Sequence, residues 1–198
     1  MNTVVPSVEP LDLRLWDLVR QEDEHAFAQL YDMYAKPVYN FAFRRLASWS
    51  AAEEVVQSAF TTVWRRARVG DLPPLQRDSA LPYFLGVAGR ECDNAARRRN
   101  RATALARKSR FDLVEADHAD AVAARVDDEA QMSEVLAIVR RWPQRQRDVL
   151  ELVGWSGLST AQAADALGLP EGTVKSRLSR ARNQLRDMIG DRRGSVHD

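Results

Sequence analysis

Apolar residues recur at steps of three and four along almost the whole chain, and the strict alternation of a half-buried strand is nearly absent. That spacing confines the chain to helices packed on helices, an all-α fold. Phe27, Leu30, Tyr31, Tyr34, Val38, Phe41, Ala42 and Leu46 keep the rhythm and predict a helical pair with one buried stripe. Ser50-Ala51-Ala52-Glu53 reads as a capping box, with the serine hydroxyl accepting from the Glu53 N–H while the carboxylate reaches back. The helix it opens turns Val55, Val56, Ala59, Phe60, Val63 and Trp64 inward and leaves Glu54, Gln57, Ser58 and Thr61 outward. Gly70 and Pro73-Pro74 end it, and a loop runs to about Ser79. A further helix follows from about Leu81 into Arg97-Arg98-Arg99.

The segment from about Leu158 to Arg186 carries the most specific local signals. Ser159 followed by Gln162 forms a second capping box, and Gly168 is the residue type that accepts a left-handed backbone at a helix end. Ala164, Gly168 and Val174 have the spacing of a helix-turn-helix, in which a small residue permits close crossing and valine plugs the junction. The second helix starts near Glu171-Gly172-Thr173 and buries Val174, Leu178, Ala181 and Leu185. Lys175, Ser176, Ser179, Arg180 and Arg182 are left on exposed or flanking faces. Arginine grips guanine bidentately, serine bonds several base edges, and lysine neutralises phosphate. Duplex DNA is therefore the expected partner, the alternative being a solvated basic helix packed on a bundle.

Charge is strongly segregated beneath a formal net charge of +1. Basic residues dominate from Arg65 to Arg110, an electrostatic footprint for a polyanion. Asp112, Glu115, Asp117, Asp120, Asp127, Asp128 and Glu129 then lie among alanines and valines, the composition of a flexible acidic linker. These shifts divide the 198 residues into a tail at 1–10, a domain at 11–110, the linker at 111–131, a second domain at 132–190 and a tail at 191–198. One cysteine, Cys92, forms no internal disulfide, and no apolar run reaches the ~18 residues of a membrane span. The N-terminus shows no signal-peptide pattern, so a cytoplasmic protein without membrane contact is expected. His25, His118 and His197 lack metal-ligand spacing, and neither a phosphate-binding glycine loop nor a nucleophile motif occurs. No catalytic group, metal or cofactor is expected. Cys92 is either a reactive thiol beside Arg90 or a buried inert one.

The run Pro143 to Leu150, then Gly157-Leu158-Ser159, then Gly172 to Arg182, resembles region 4 of bacterial sigma factors, and most of all the compact extracytoplasmic-function (ECF) group of the sigma-70 family. Ala52-Glu53-Glu54-Val55-Val56-Gln57, with Phe60 and Trp64, resembles region 2 of the same family. The resemblance implies a factor that binds core RNA polymerase and directs promoter-specific initiation. Glu54, Gln57 and Ser58 would meet the β′ clamp helices, and the β flap would be a further contact on polymerase. Thr160, Thr173, Lys175, Ser176, Arg177, Ser179, Arg180 and Arg182 would read the minus-35 element. Tyr83, Phe84, Arg90, Asn94, Arg97 and Arg98 would serve the minus-10 element, the arginines tracking the backbone and the rings either stacking on unpaired bases or belonging to the core.

Two departures limit what is carried over. Val87-Ala88-Gly89-Arg90 stands where the family usually has isoleucine, alanine, arginine and asparagine, and Asn94 where an aspartate is common, so the family's minus-10 base preference does not transfer. The resemblance also implies a linker passing through the polymerase cleft and RNA exit channel, either mimicking RNA phosphates or serving as a solvated tether. Many relatives are inhibited by an anti-sigma protein, a further partner compatible with an exposed docking face and a flexible linker. The rival reading is a conventional DNA-binding regulator that needs only the C-terminal half and leaves the Glu54/Gln57 helix unexplained.

Overall fold

The computed structural model describes residues 10–109 and 121–194. Among them the chain forms eight α-helices and one π-helical turn, with no strand. Residues 1–9 and 195–198 of the predicted tails, residue 110 and residues 111–120 of the predicted linker lie outside the described residues.

Four helices form the first lobe: α1 (Leu11–Arg20), α2 (Glu24–Leu46), α3 (Trp49–Arg68) and α4 (Leu81–Ser109). Trp16, Leu30, Val38, Val55, Val63 and Phe84 are almost fully buried at its centre. The expected helical pair up to Leu46 is a single helix, α2, capped where Asp23 accepts from the Ala26 N–H at 2.8 Å. Pro37 sits inside it; the one lost backbone bond is outweighed by packing of α2 on α1, α3 and α4. Tyr31 is 43% exposed instead of buried, its ring edge-on to Phe60 at 4.8 Å.

Helix α3 begins earlier than the Ser50 capping box predicts. Ser48 is the N-cap, accepting from the Ala51 N–H, because Trp49 stacks on Phe43 at 3.9 Å and on Tyr39 at 5.6 Å and is drawn into the first turn. Helix α4 extends beyond Arg99 to Ser109, with Pro82 in its first turn, where no N–H is needed. Its start is held by the buried carboxylate of Asp12, which accepts from the Ala80 N–H at 2.8 Å and from the Tyr34 hydroxyl. Burial, reinforced by Asp12, pushes the Tyr34 hydroxyl up to about 12.

Residues 121–131, expected to be flexible linker, belong to α5 (Ala121–Val139). Alanines among the acidic residues sustain the helix, and Leu136 and Val139 anchor it by burial. Helix α6 (Gln144–Val149) continues into the π-helical turn Leu150–Trp155, followed by α7 (Thr160–Leu167) and α8 (Glu171–Gly194). The expected tail at 191–198 is therefore helical through residue 194.

The helix-turn-helix forms as expected. Ser159 Oγ accepts from the Gln162 N–H at 3.1 Å while Gln162 Oε1 accepts from the Ser159 N–H at 2.9 Å. Gly168 takes φ +63°, and Ala164, Val174, Leu178 and Ala181 are buried. Leu185 is the exception at 41% exposed: its helical phase points inward, but among the described residues it is not covered.

The two halves are packed on each other. One apolar core runs from α1–α4 into Val149, Leu152, Leu158, Ala163, Ala166 and Val174. The contact is close enough to require glycine: a Cβ at Gly86 of α4 would stand 2.5 Å from the Ala166 carbonyl oxygen of α7.

Candidate nucleic-acid interface

The reading face of α8 follows from its burial pattern. With Val174, Leu178 and Ala181 inward, Lys175, Ser176, Ser179, Arg180 and Arg182 are exposed, while Thr173 and Arg177 are half-buried. Lys175 pairs with Glu171 at 2.9 Å, and Thr160 donates to the same carboxylate at 2.7 Å. Hydrogen bonds from Lys175 and Thr160 hold the Glu171 carboxyl below its usual pKa. This joins the starts of α7 and α8 and fixes the pitch at which α8 projects. Ser176 donates to the Thr173 carbonyl at 2.9 Å, leaving its oxygen as an acceptor. Thr160, Lys175, Ser179, Arg182, Asn183 and Arg186 line a groove of about 280 Å³. Asn183 and Arg186 were not singled out from the sequence, although Arg186 continues the stripe of Lys175, Ser179 and Arg182 at helical spacing.

On α4 the expected residues separate. Phe84 is fully buried, stacked on Phe60 at 4.6 Å and edge-on to Trp16 at 5.9 Å. It is core, and its expected role as a base-stacking ring is withdrawn. Tyr83 is half-buried, edge-on to Trp16 at 4.9 Å, with the Arg66 guanidinium 5.9 Å above its ring. Burial raises its hydroxyl pKa, and that hydroxyl has no partner among the described residues. Arg90, Arg97 and Arg98 are exposed and share one side of α4 with half-buried Asn94. Asn94 accepts from Arg97 at 2.6 Å and donates to Glu91 at 3.4 Å. Cys92 is 1% exposed and burial pushes its thiol up to about 12, which removes the reactive-thiol alternative.

Helix α3 presents Glu54 and Gln57 to solvent and leaves Ser58 half-buried. Gln57 borders a shallow groove of about 400 Å³ against Tyr31, Lys36 and Tyr39 of α2, whereas Glu54 borders one of about 280 Å³ against Arg98 and Arg99 of α4. The two side chains straddle one ridge. Of the α2 residues along it, Tyr31 was expected in the buried stripe, and Lys36 and Tyr39 were not singled out from the sequence.

A charged cluster joins the lobes. Arg45 of α2, with its side chain 11% exposed, lies 3.1 Å from Asp93 of α4, 2.6 Å from Asp148 of α6 and 3.0 Å from Glu151 of the π-helical turn. Burial opposes the Arg45 charge, but Glu151, Asp148 and Asp93 hold its pKa above the usual value. Glu151 feels burial most and is raised to about 7, despite the opposing pull of Arg45. Arg77–Asp165 forms a second cross-lobe ion pair, and Arg44 donates to the Trp155 carbonyl.

This arrangement defines a helical DNA-binding protein in which a capped helix-turn-helix is carried beside a four-helix lobe with its own basic and acidic surfaces. Sigma-70 region 2 matches residues 30–102 and Sigma-70, region 4, matches residues 132–185. The ECF RNA polymerase sigma factor SigK of Mycolicibacterium vanbaalenii is 32% identical over 173 residues, covering 87% of this chain and 86% of the relative. The ECF RNA polymerase sigma factor RpoE of Cereibacter sphaeroides is 32% identical over 173 residues, covering 83% and 86%. Among solved structures, CnrH in complex with the cytosolic domain of CnrY has the same fold at a TM-score of 0.64 and 20% identity, covering 91% of this chain and 98% of that one. RpoE in complex with the anti-sigma factor NepR from Bartonella quintana aligns at a TM-score of 0.55 and 23% identity, over 83% and 96%. The chain belongs to the extracytoplasmic-function group of the sigma-70 family: it is a transcription initiation factor of RNA polymerase. No helix among the described residues is long and apolar enough to cross a membrane.

Proposed function

We propose that this sigma factor reads the minus-35 element through α8 and the minus-10 element through the basic side of α4, docks on polymerase through the Glu54/Gln57/Ser58 ridge of α3, and assists DNA melting. The carrying observation is the capped helix-turn-helix with Ser179, Arg180 and Arg182 exposed along α8. Arg180 and Arg182 supply forks for guanine, and Lys175 and Arg177 neutralise phosphate. On α4, Arg90, Arg97 and Arg98 track the backbone while Asn94 and the half-buried ring of Tyr83 face unpaired bases. Binding unstacked bases draws the duplex toward its open state, so melting needs no catalytic group.

The packed form has to open for both elements to be read at once. Elements about 25 base pairs apart are separated by roughly 85 Å at 3.4 Å per base pair. With Gly86 against Ala166, the rise of α4 and α8 and the reach of the intervening turn hold Arg98 and Arg182 within about 60 Å of each other. Polymerase binding would supply the energy that parts the lobes, leaving the segment around 110–131 to span them. Relatives of the same fold are complexed by partner proteins, and an anti-sigma protein that holds the packed form is consistent with that requirement.

The test uses holoenzyme on promoter and random duplex. Arg180→Ala should weaken promoter binding by about 1–3 kcal/mol while leaving polymerase affinity unchanged. Glu54→Lys should do the converse. Equal loss on both duplexes makes Arg180 a phosphate contact, and unchanged polymerase affinity removes Glu54 from the docking ridge.

A further inference from the structure

A cavity of about 580 Å³ opens where α4, the end of α5 and α6 meet, so it is built from both lobes. Arg45, Arg97, Arg99, Arg140 and Arg147 line it against only two carboxylates, Asp93 and Glu151. Those two already hold Arg45. None of Arg97, Arg99, Arg140 and Arg147 forms an ion pair among the described residues. Arg99 donates to the Leu46 carbonyl at 3.4 Å, Arg147 donates to the Arg140 carbonyl at 3.4 Å and to the neutral Gln144 side-chain oxygen, and the Arg140 guanidinium has no partner among the described residues. Burial, with the charges of Arg99 and Arg147, pulls Arg140 below its usual pKa. Folding thus gathers like charges round a concave space without a matching counter-charge among the described residues. The apolar part of the lining is supplied by Leu46, Ala96, Leu136 and Val139.

We propose that this cavity binds a small polyphosphate anion of nucleotide size, gripped by Arg99, Arg140 and Arg147. Guanidinium forks match phosphate oxygens bidentately, the volume lies in the range of small-ligand sites, and the apolar part of the lining offers a surface for a base or another flat group. Two of the three arginines come from the C-terminal lobe and one from α4, so the ligand binds only the packed form. Mass action then makes it an inhibitor of opening: at 100 times its Kd it would weaken any partner of the open form about 100-fold. That consequence rests on the proposed polymerase role, whereas binding itself does not.

The test titrates the full chain with sodium tripolyphosphate by calorimetry at constant ionic strength. Saturable one-to-one binding is expected, weakened at least about 10-fold by Arg140→Ala and by Arg147→Ala, each of which removes a charged bidentate contact. Arg140→Lys, which keeps the charge and loses the fork, should also weaken it several-fold. Gly86→Ala keeps every arginine but pushes α7 away and should weaken binding at least about 5-fold. Arg101→Ala, an exposed arginine of α4 not among those lining the cavity, should change it less than about 2-fold. The proposal is overturned if binding is not saturable, if Arg101→Ala costs as much as Arg140→Ala, or if Gly86→Ala has no effect. It is equally overturned if a short DNA duplex binds more tightly than tripolyphosphate with the same sensitivity to Arg140 and Gly86, which would assign the cavity to the nucleic-acid backbone.

Discussion

Gly86→Ala gives opposite signs according to whether the lobes touch. Gly86 lies inside α4, where alanine favours the helix over glycine by about 0.8–1.0 kcal/mol. Against that gain, the added Cβ would stand 2.5 Å from the Ala166 carbonyl oxygen and 3.3 and 3.4 Å from that residue's carbonyl carbon and Cα. These are backbone atoms of α7 and cannot rotate aside, so the overlap must be relieved by moving a helix, at about 1–3 kcal/mol. Only the packed form incurs that cost, so its ratio to the open form should fall by roughly 5- to 150-fold. Energy transfer between dyes on cysteines introduced at Thr61 of α3 and Asn183 of α8, both exposed, reads the ratio directly. Cys92, 1% exposed, leaves the introduced thiols as the labelling sites. The variant should shift toward low transfer. The reasoning is refuted if the transfer distribution is unchanged and the variant merely gains about 1 kcal/mol in a urea melt, for then α7 does not abut α4 in solution.

Three further outcomes follow from the buried groups. Arg45→Met leaves Asp93, Asp148 and Glu151 without their shared cation and should lower stability in urea by about 3–5 kcal/mol; a loss under 1 kcal/mol would show the cluster to be solvated. Glu151 is raised from 4.5 to about 7 on folding, so between those values the folded chain binds more protons than the unfolded one and stability falls as pH rises. The expected fall is about 1–3 kcal/mol from pH 4.5 to 7 with Arg45, Asp93, Asp148 and Arg147 facing the group; Glu151→Gln should flatten that slope, and an unchanged slope would assign it elsewhere. Cys92 should react with a thiol reagent only as fast as the first lobe opens, and immediate modification in native buffer would contradict its burial.

What could be read in the sequence was local. The Ser159/Gln162 box, Gly168 and the Val174–Leu178–Ala181 stripe are fixed by neighbours a few residues apart, and the helix-turn-helix forms as they predict. Longer-range effects decided the exceptions. Ser50, with Glu53 three residues on, is the better cap in isolation, and Trp49 stacking on Phe43 selects Ser48 instead. Phe84 shares a basic segment with exposed arginines, yet Phe60 and Trp16 from distant helices bury it. Leu185 has the right phase, yet nothing among the described residues covers it. The acidity of residues 121–131 suggested disorder, whereas Leu136 and Val139 further along the same helix hold it in place. Nothing local connects Arg45 with Glu151 or Gly86 with Ala166, so packing between the two halves was not legible at all.

Run-off transcription on fragmented genomic DNA, with core polymerase and this chain as the only sigma factor, tests the central claim most directly. The account predicts discrete start sites whose upstream sequences share two elements at one fixed spacing, with the Arg180→Ala variant losing preference at the upstream element alone. Absence of initiation, or start sites that share one element at no constant distance, would contradict it.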